Sequence, residues 1–206
     1  MSNNTIITIS RQYGSGGHAI ARELSKLMGI KMYDGELLDL VAKDTGLSEE
    51  ILRSYDEKPT NSFLYSLSLG AFAMDNTMAS PPNMPMEDRV FSAQADMITS
   101  IAEKESAIFV GRCANSILKD NPNLISVFIH TDYERRIKRI AEYEKITNNA
   151  AADIIKKADK RRASYNNYFS DLKWGDASTY DLCINSRVGF NKAAQLIKFF
   201  AENKNK

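Results

Sequence analysis

The segment from Thr5 to Gly29 limits how this chain can fold more than any other. An apolar run, Ile6, Ile7 and Ile9, enters the glycine-rich bend Ser10-Arg11-Gln12-Tyr13-Gly14-Ser15-Gly16-Gly17-His18, and an amphipathic stretch with Ile20, Leu24, Leu27 and Met28 follows. A strand that turns through glycines into a helix aims several backbone N–H groups and the positive end of the helix dipole at one point, which suits a phosphate. Phosphate loops of the Walker type read G-x-x-x-x-G-K-[ST]. In that frame Arg11 takes the first glycine position, Gly16 the second, Gly17 the lysine position and His18 the hydroxyl position. The cradle of Tyr13, Gly14, Ser15, Gly16, Gly17 and His18 is kept without its charged clamp. A glycine turn that binds nothing is the alternative reading of the bend alone.

With 206 residues, 43% hydrophobic and 26% charged, the chain suits one globular domain with a substantial core. It has no apolar run long enough to cross a bilayer, and the polar start Met1-Ser2-Asn3-Asn4 lacks a signal-peptide layout. A cytoplasmic protein without membrane attachment is therefore expected. Cys113 and Cys183, with His18 and His130, lack the spacing of zinc ligands, so no structural metal is expected. A net charge of +1 argues against a general nucleic-acid binder. The charges are nevertheless uneven. Residues 43–105 carry five basic and eleven acidic side chains, and residues 134–173 carry eleven basic and six acidic ones. For any single lysine in the second block, a solvated helical face is an adequate explanation.

Strand-like runs at Ile6–Ile9, Ala107–Val110, Leu124–Ile129 and Tyr180–Ile184, with a short fifth at Lys31–Tyr33, alternate with helix-like segments. That alternation predicts an α/β fold with a parallel sheet. Residues 47–105 read as helical, interrupted by an exposed loop at Ala79-Ser80-Pro81-Pro82-Asn83-Met84-Pro85. Residues 134–163 read as two helices, the second capped by Thr147 or Asn148, and the last helix runs from Phe190 to Asn203. Ligands of open α/β sheets collect beyond the carboxyl ends of the strands. The loops after Ile9, Tyr33, Val110, Ile129 and Ile184 should therefore surround one site.

Several residue types in those loops fit phosphate chemistry. In Gly111-Arg112-Cys113 a glycine turn places an arginine near the sheet edge, suited to a bidentate grip on phosphate, although a surface arginine beside a short helix reads the same. Asp34 can organise an acceptor or a metal-bound water, or simply cap the helix from Gly35 to Val41. Arg136 and Arg139 share one helical face, and Arg161 and Arg162 sit on the next helix. Gathering such charge over a triphosphate only when needed calls for a mobile lid. Tyr165, Tyr168, Phe169 and Trp174 read as packing of that lid, and Asn185-Ser186-Arg187 as either a contact for an adenine or a plain turn.

Taken together, these residues resemble the cytidylate kinase-like family, a branch of the P-loop nucleoside monophosphate kinases. The matching segments are Ile7–Ala21, Tyr33–Leu38, Asp56–Leu67 and Ile108–Leu118. The resemblance implies a three-layer P-loop kinase fold with a five-stranded parallel sheet, ATP as donor, magnesium, and a small nucleotide acceptor such as CMP. It implies a core of residues 1–46, 106–133 and 176–206, a helical acceptor-side insert over 47–105 and a lid over 134–175. It aligns Asp34 with an acceptor-binding aspartate, Arg112 with the arginine that holds the monophosphate, and Arg136 and Arg139 with arginines at the lid entry. Arg161 is matched to the lid arginine of a D-x-x-R pattern within Asp159-Lys160-Arg161-Arg162. The departures are Gly17, His18 and Ala19 in the loop and Cys113 in place of an aspartate.

Two expectations follow. The first is an enzyme in which Arg11, or a lid arginine, replaces the missing lysine and Ser15 or Ser10 reaches magnesium. The second is a nucleotide sensor or scaffold that keeps the cradle without turnover. A dinucleotide oxidoreductase is disfavoured because the G-x-G-x-x-G spacing fails at Ala19. Met74, Met78, Met84 and Met86 suit either an acceptor other than cytosine or a contact between two copies of the chain.

Overall fold

The computed structural model describes residues 4–57 and 84–204. Within them lie five strands, β1 (Ile6–Arg11), β2 (Lys31–Tyr33), β3 (Ala107–Val110), β4 (Leu124–His130) and β5 (Leu182–Asn185). The helices are α1 (Gly17–Met28), α2 (Glu36–Thr45), α3 (Glu49–Tyr55), α4 (Met86–Lys104), α5 (Ala114–Ile117), α6 (Tyr133–Glu144), α7 (Asn148–Phe169) and α8 (Phe190–Asn203). The strands form one parallel sheet in the order β2-β3-β1-β4-β5, the α/β arrangement that the alternation of strands and helices predicts.

β1 continues past the apolar run because Ser10 and Arg11 stay in register with Phe128 and Ile129 of β4. β5 starts at Leu182, later than its hydropathy indicates. Ala177–Thr179 close a short 3-10 turn, and Asp181 is held by Ser126, which donates its N–H at 2.8 Å and its hydroxyl at 3.0 Å. Thr147 caps α7 by accepting from the Ala150 N–H. Asp34 does not cap α2, whose first residue follows Gly35 with no side-chain cap. Of the predicted proline loop, residues 79–83 lie outside the described residues, as do Met74 and Met78. Met84 and Met86 are partly buried, and Met86 packs with Leu38, Leu52 and Val90.

Alternation along the strands gives the sheet two different faces. Ile7, Ile9, Ile108, Val110, Val127 and Ile129 bury one face against Ile20 and Leu24 of α1 and Ala193 and Ile197 of α8. The other face carries Ile6, Phe109 and Leu124 against α4 and α5, but also the buried Thr8, Ser10 and Ser126. Thr8 Oγ1 and both side-chain polar atoms of Asn115 are buried there without a hydrogen-bond partner. The pair α6 and α7 is joined by Ile140, Ala151 and Ile155, and Tyr13 of the glycine bend packs against that cluster.

These faces should respond oppositely to truncation and polarity change. Ile7→Ala is expected to lower unfolding stability by about 2–5 kcal/mol in urea titration, the usual cost of a deleted core side chain. Thr8→Val, which removes an orphaned buried hydroxyl, is expected to leave stability unchanged or raise it.

Candidate active site

The glycine bend delivers the chain into α1 with Gly16 in the left-handed region, at φ 86°, where glycine avoids the Cβ penalty. The first helical hydrogen bond runs from the Ile20 N–H to the Gly16 carbonyl at 3.0 Å. The N–H groups of Gly17, His18 and Ala19 precede it and are directed off the helix end. One amide of the bend already carries an oxyanion, since the Tyr13 N–H donates to Asp159 Oδ1 at 2.7 Å. Asp159 also pairs with Arg136, whose Nη1 donates to the Tyr13 carbonyl at 3.3 Å. Arg139 Nη1 donates to the Gly14 carbonyl at 2.6 Å, and its guanidinium lies over the Phe190 ring beside Gly16.

Arg11 leaves the end of β1 through a channel made by two glycines. A Cβ at Gly17 would fall 2.6 Å from Arg11 Cβ and 2.9 Å from its Cγ, and a Cβ at Gly111 would overlap Arg11 Nη1. The stem of Arg11 thus fills the space that a lysine at position 17 would need for its own first carbon. Its head reaches Glu57, with Nη1 3.0 Å from Oε1. Arg162 of α7 closes the other side of that carboxylate, with Nε 3.4 Å from Oε2, and its Nη1 donates to the Arg11 carbonyl at 3.2 Å.

Arg112 sits on an unusual backbone. Gly111, Arg112 and Cys113 have φ of 81°, 52° and 55°, three successive left-handed residues, and Glu57 has φ 50°. For a residue with a Cβ such a conformation costs about 1–3 kcal/mol and persists where the surroundings hold it. Here the side chains do so. Arg112 is buried, and Nε and Nη2 grip both oxygens of Asp56 at 3.0 and 2.9 Å while Nη1 reaches Asp34 at 3.3 Å. Asp34 lies 3.4 Å from His18 Nε2, so it joins β2, the Gly111 turn and the start of α1.

Two expectations are corrected by these positions. Ser15 does not offer its hydroxyl to a metal: the residue is fully buried and its Oγ donates to the Gln12 carbonyl at 2.8 Å. Arg161 is exposed, and the arginine brought to the site is Arg162. Arg162 lies three positions after Asp159, which places both on one face of α7, whereas Arg161 is rotated away. Arg11, Asp34, Arg112, Arg136 and Arg139 all lie around the bend and the carboxyl edge of the sheet. Asp56, Glu57 and Asp159 were not singled out from the sequence as site residues. The signal for the first two was their place at the head of the matching segment Asp56–Leu67, and for Asp159 its spacing to Arg162. Among the aromatics, Phe91 and Phe169 stack with centroids 4.1 Å apart and Trp174 meets Phe128 edge-on, which is packing. Asn185 accepts from the Arg187 N–H, as a turn residue does.

Burial would raise the Glu57 carboxyl, but Arg11, Arg162 and Arg112 outweigh it and hold the group at about 2. Burial, reinforced by Arg11, lowers Arg162 to about 10 against the opposing Glu57 and Asp159. Arg112 is raised despite its burial, through Asp56, Asp34 and Glu57. The Cys113 thiol is pushed up to about 12 by burial and then by Glu57, so it stays protonated and unreactive. Between Ser10, Arg11, Glu57, Arg112, Arg162 and Trp174 the cleft leaves about 10 Å³, room for a single water. Among the described residues no group of three or more His, Cys, Asp or Glu side chains is placed to hold a metal. No helix among them is long and apolar enough to cross a membrane.

Known proteins are similar to this chain along most of its length. The cytidylate kinase-like family matches residues 6–188. A cytidylate kinase of Methanothrix thermoacetophila is 26% identical over 183 residues, covering 88% of each chain. Among solved structures, an uncharacterized protein from Eubacterium ventriosum ATCC 27560 is 33% identical with a TM-score of 0.72, covering 97% of this chain and 99% of that one. Shikimate kinase from Bacteroides thetaiotaomicron shares the fold at 11% identity and a TM-score of 0.55, over 96% of this chain and 98% of that one.

The depressed Glu57 carboxyl makes a pH prediction. Its stabilising contribution is complete above the ordinary value of 4.5 and is lost as pH falls toward about 2, because the unfolded chain then binds the proton more readily. Thermal melts between pH 5 and pH 2 are expected to decline less steeply in Glu57→Gln than in the parent protein.

Proposed function

The chain belongs to the cytidylate kinase-like family, and from that premise we propose that it transfers the γ-phosphoryl group of ATP to a nucleoside monophosphate of the CMP or dCMP kind. The observation that carries this reading is the meeting of Arg11, Arg112 and Arg162 beside a helix end whose first amides are directed outward. Phosphoryl transfer spreads charge over the equatorial oxygens of the moving group, so fixed cations and amides are most of what a protein must supply. No general base is needed where the accepting oxygen already belongs to a phosphate.

In this reading the amides of Gly17, His18 and Ala19 hold the donor phosphates, in the manner in which the Tyr13 N–H holds the Asp159 carboxylate. Arg112 and Asp34 bind the acceptor. Arg11 supplies from the end of β1 the positive charge that a loop lysine would otherwise bring, because its stem already fills the space beside Gly17. Arg136, Arg139 and Arg162 add charge from residues 134–175, which act as the lid, and residues 47–105 border the acceptor. Magnesium bound with the phosphates would neutralise charge on their oxygens, and the Asp34 carboxylate is the donor at this edge that suits it. Ser15 takes no part in holding it.

A nucleotide sensor is the second reading, and the filled grip of Arg112 favours it, since Asp56 and Asp34 occupy all three faces of its fork. Incubation with Mg-ATP and a panel of monophosphates separates the two, by ADP release. Turnover supports the kinase; an ATP-dependent thermal shift with no transfer to any acceptor supports the sensor. For the kinase, Arg11→Ala is expected to lower kcat by about 10²–10³-fold, as loss of one preorganised donor does. The ATP-induced thermal shift should survive, and an unchanged kcat would remove Arg11 from the mechanism.

A further inference from the structure

We infer that Asp56 and Glu57 are internal counter-ions of the arginine cleft, and that they are displaced together when a phosphate dianion enters it. The inference rests on the kinase reading for the identity of that dianion, the phosphate group of the acceptor. It concerns how the cleft is kept when empty of ligand.

Three guanidiniums and three carboxylates share this space. Glu57 bridges Arg11 and Arg162, at 3.0 and 3.4 Å. Asp56 takes two nitrogens of Arg112 and also accepts from Gln94 Nε2 at 3.2 Å. Asp34 takes the remaining nitrogen of Arg112. The formal charges of Arg11, Arg112 and Arg162 are thus balanced by Asp34, Asp56 and Glu57. Replacing Asp56 and Glu57 by one phosphate dianion keeps that balance, so the exchange leaves no uncompensated buried charge, the condition that makes breaking a buried ion pair costly. The room left in the cleft, that of a single water, means that a phosphate enters only if some group leaves.

The geometry selects which group gives way. Arg11 is threaded between Gly17 and Gly111, Arg112 is buried in the turn two residues past β3, and Arg162 lies within the 22-residue α7. Asp56 and Glu57 instead follow α3, seven residues long with Leu52 as its buried anchor. Glu57 is also held in a left-handed conformation that relaxes on release. Two consecutive acidic residues just past a short helix therefore cover arginines held by β1, by the turn after β3 and by the long α7.

Trp174, the chain's single tryptophan, lines the cleft and reports on it directly. Titration with inorganic phosphate, followed by Trp174 fluorescence, is expected to give binding at least about tenfold tighter in Glu57→Gln than in the parent protein, because a competing charge has been removed. Equal or weaker binding overturns the inference. In the unaltered protein, saturating phosphate should accelerate hydrogen exchange of the amides of residues 49–57. Unchanged or slowed exchange there overturns it equally, whether or not the variant folds. The transfer assay separates this inference from the kinase reading. Tighter phosphate binding in a chain that transfers nothing removes only the kinase, and turnover without the phosphate effect removes only the displacement.

Discussion

Arg11 crosses the molecule at the point where three segments distant in sequence must meet. Its stem lies on Gly17, its head beside Gly111, and its charge on Glu57. Each neighbour is small or acidic for a reason that the arginine itself supplies. A side chain at 17 or 111 would strike it, and without a carboxylate at 57 its charge, together with that of Arg162, would lie buried and uncompensated. The glycine at the lysine position of the loop is therefore the complement of an arginine six residues earlier.

The same crossing explains where backbone strain collects. Four described residues other than glycine have positive φ, and Glu57, Arg112 and Cys113 are three of them. Arg112 is held by a bidentate grip on Asp56, Glu57 by single contacts to Arg11 and Arg162, and Cys113 lies next to Arg112 with its sulfur accepting from Asn166. Strain and charge are thus gathered in the same few residues. The surrounding sheet, by contrast, uses ordinary parallel pairing and aliphatic packing.

Much of this scaffold was legible in the sequence. The strand runs, the helix from Phe190 to Asn203 and the Thr147 cap depend on periodicity and local hydrogen bonding, which a single chain displays openly. The glycine bend announced itself for the same reason. What stayed hidden was pairing over long separations. Apart from heading the matching segment Asp56–Leu67, Asp56 and Glu57 look like the other acids of their stretch, and it is the fold that brings them to Arg112, Arg11 and Arg162. Arg161 and Arg162 are identical in type and adjacent, and the choice between them turns on a rotation of one residue about α7. The inward turn of the Ser15 hydroxyl onto its own bend is a property of backbone geometry, which residue type alone does not display. Asp34 shows the reverse case, in which the structure withdraws the simple capping role and leaves the charged contacts.

The two unequal faces of the sheet also have a mechanical consequence. Prising α1 or α8 from Ile7, Ile9 and Val127 wets hydrocarbon and returns nothing. On the opposite side, Thr8, Ser10, Ser126, Asn115 and Asn166 set buried polar groups among the aliphatic ones, so opening there exposes less hydrocarbon. One side of the molecule is sealed by hydrocarbon alone and the other by hydrocarbon mixed with polar groups and ion pairs, and α7, with Asn166 and Arg162 on it, lies along the mixed side.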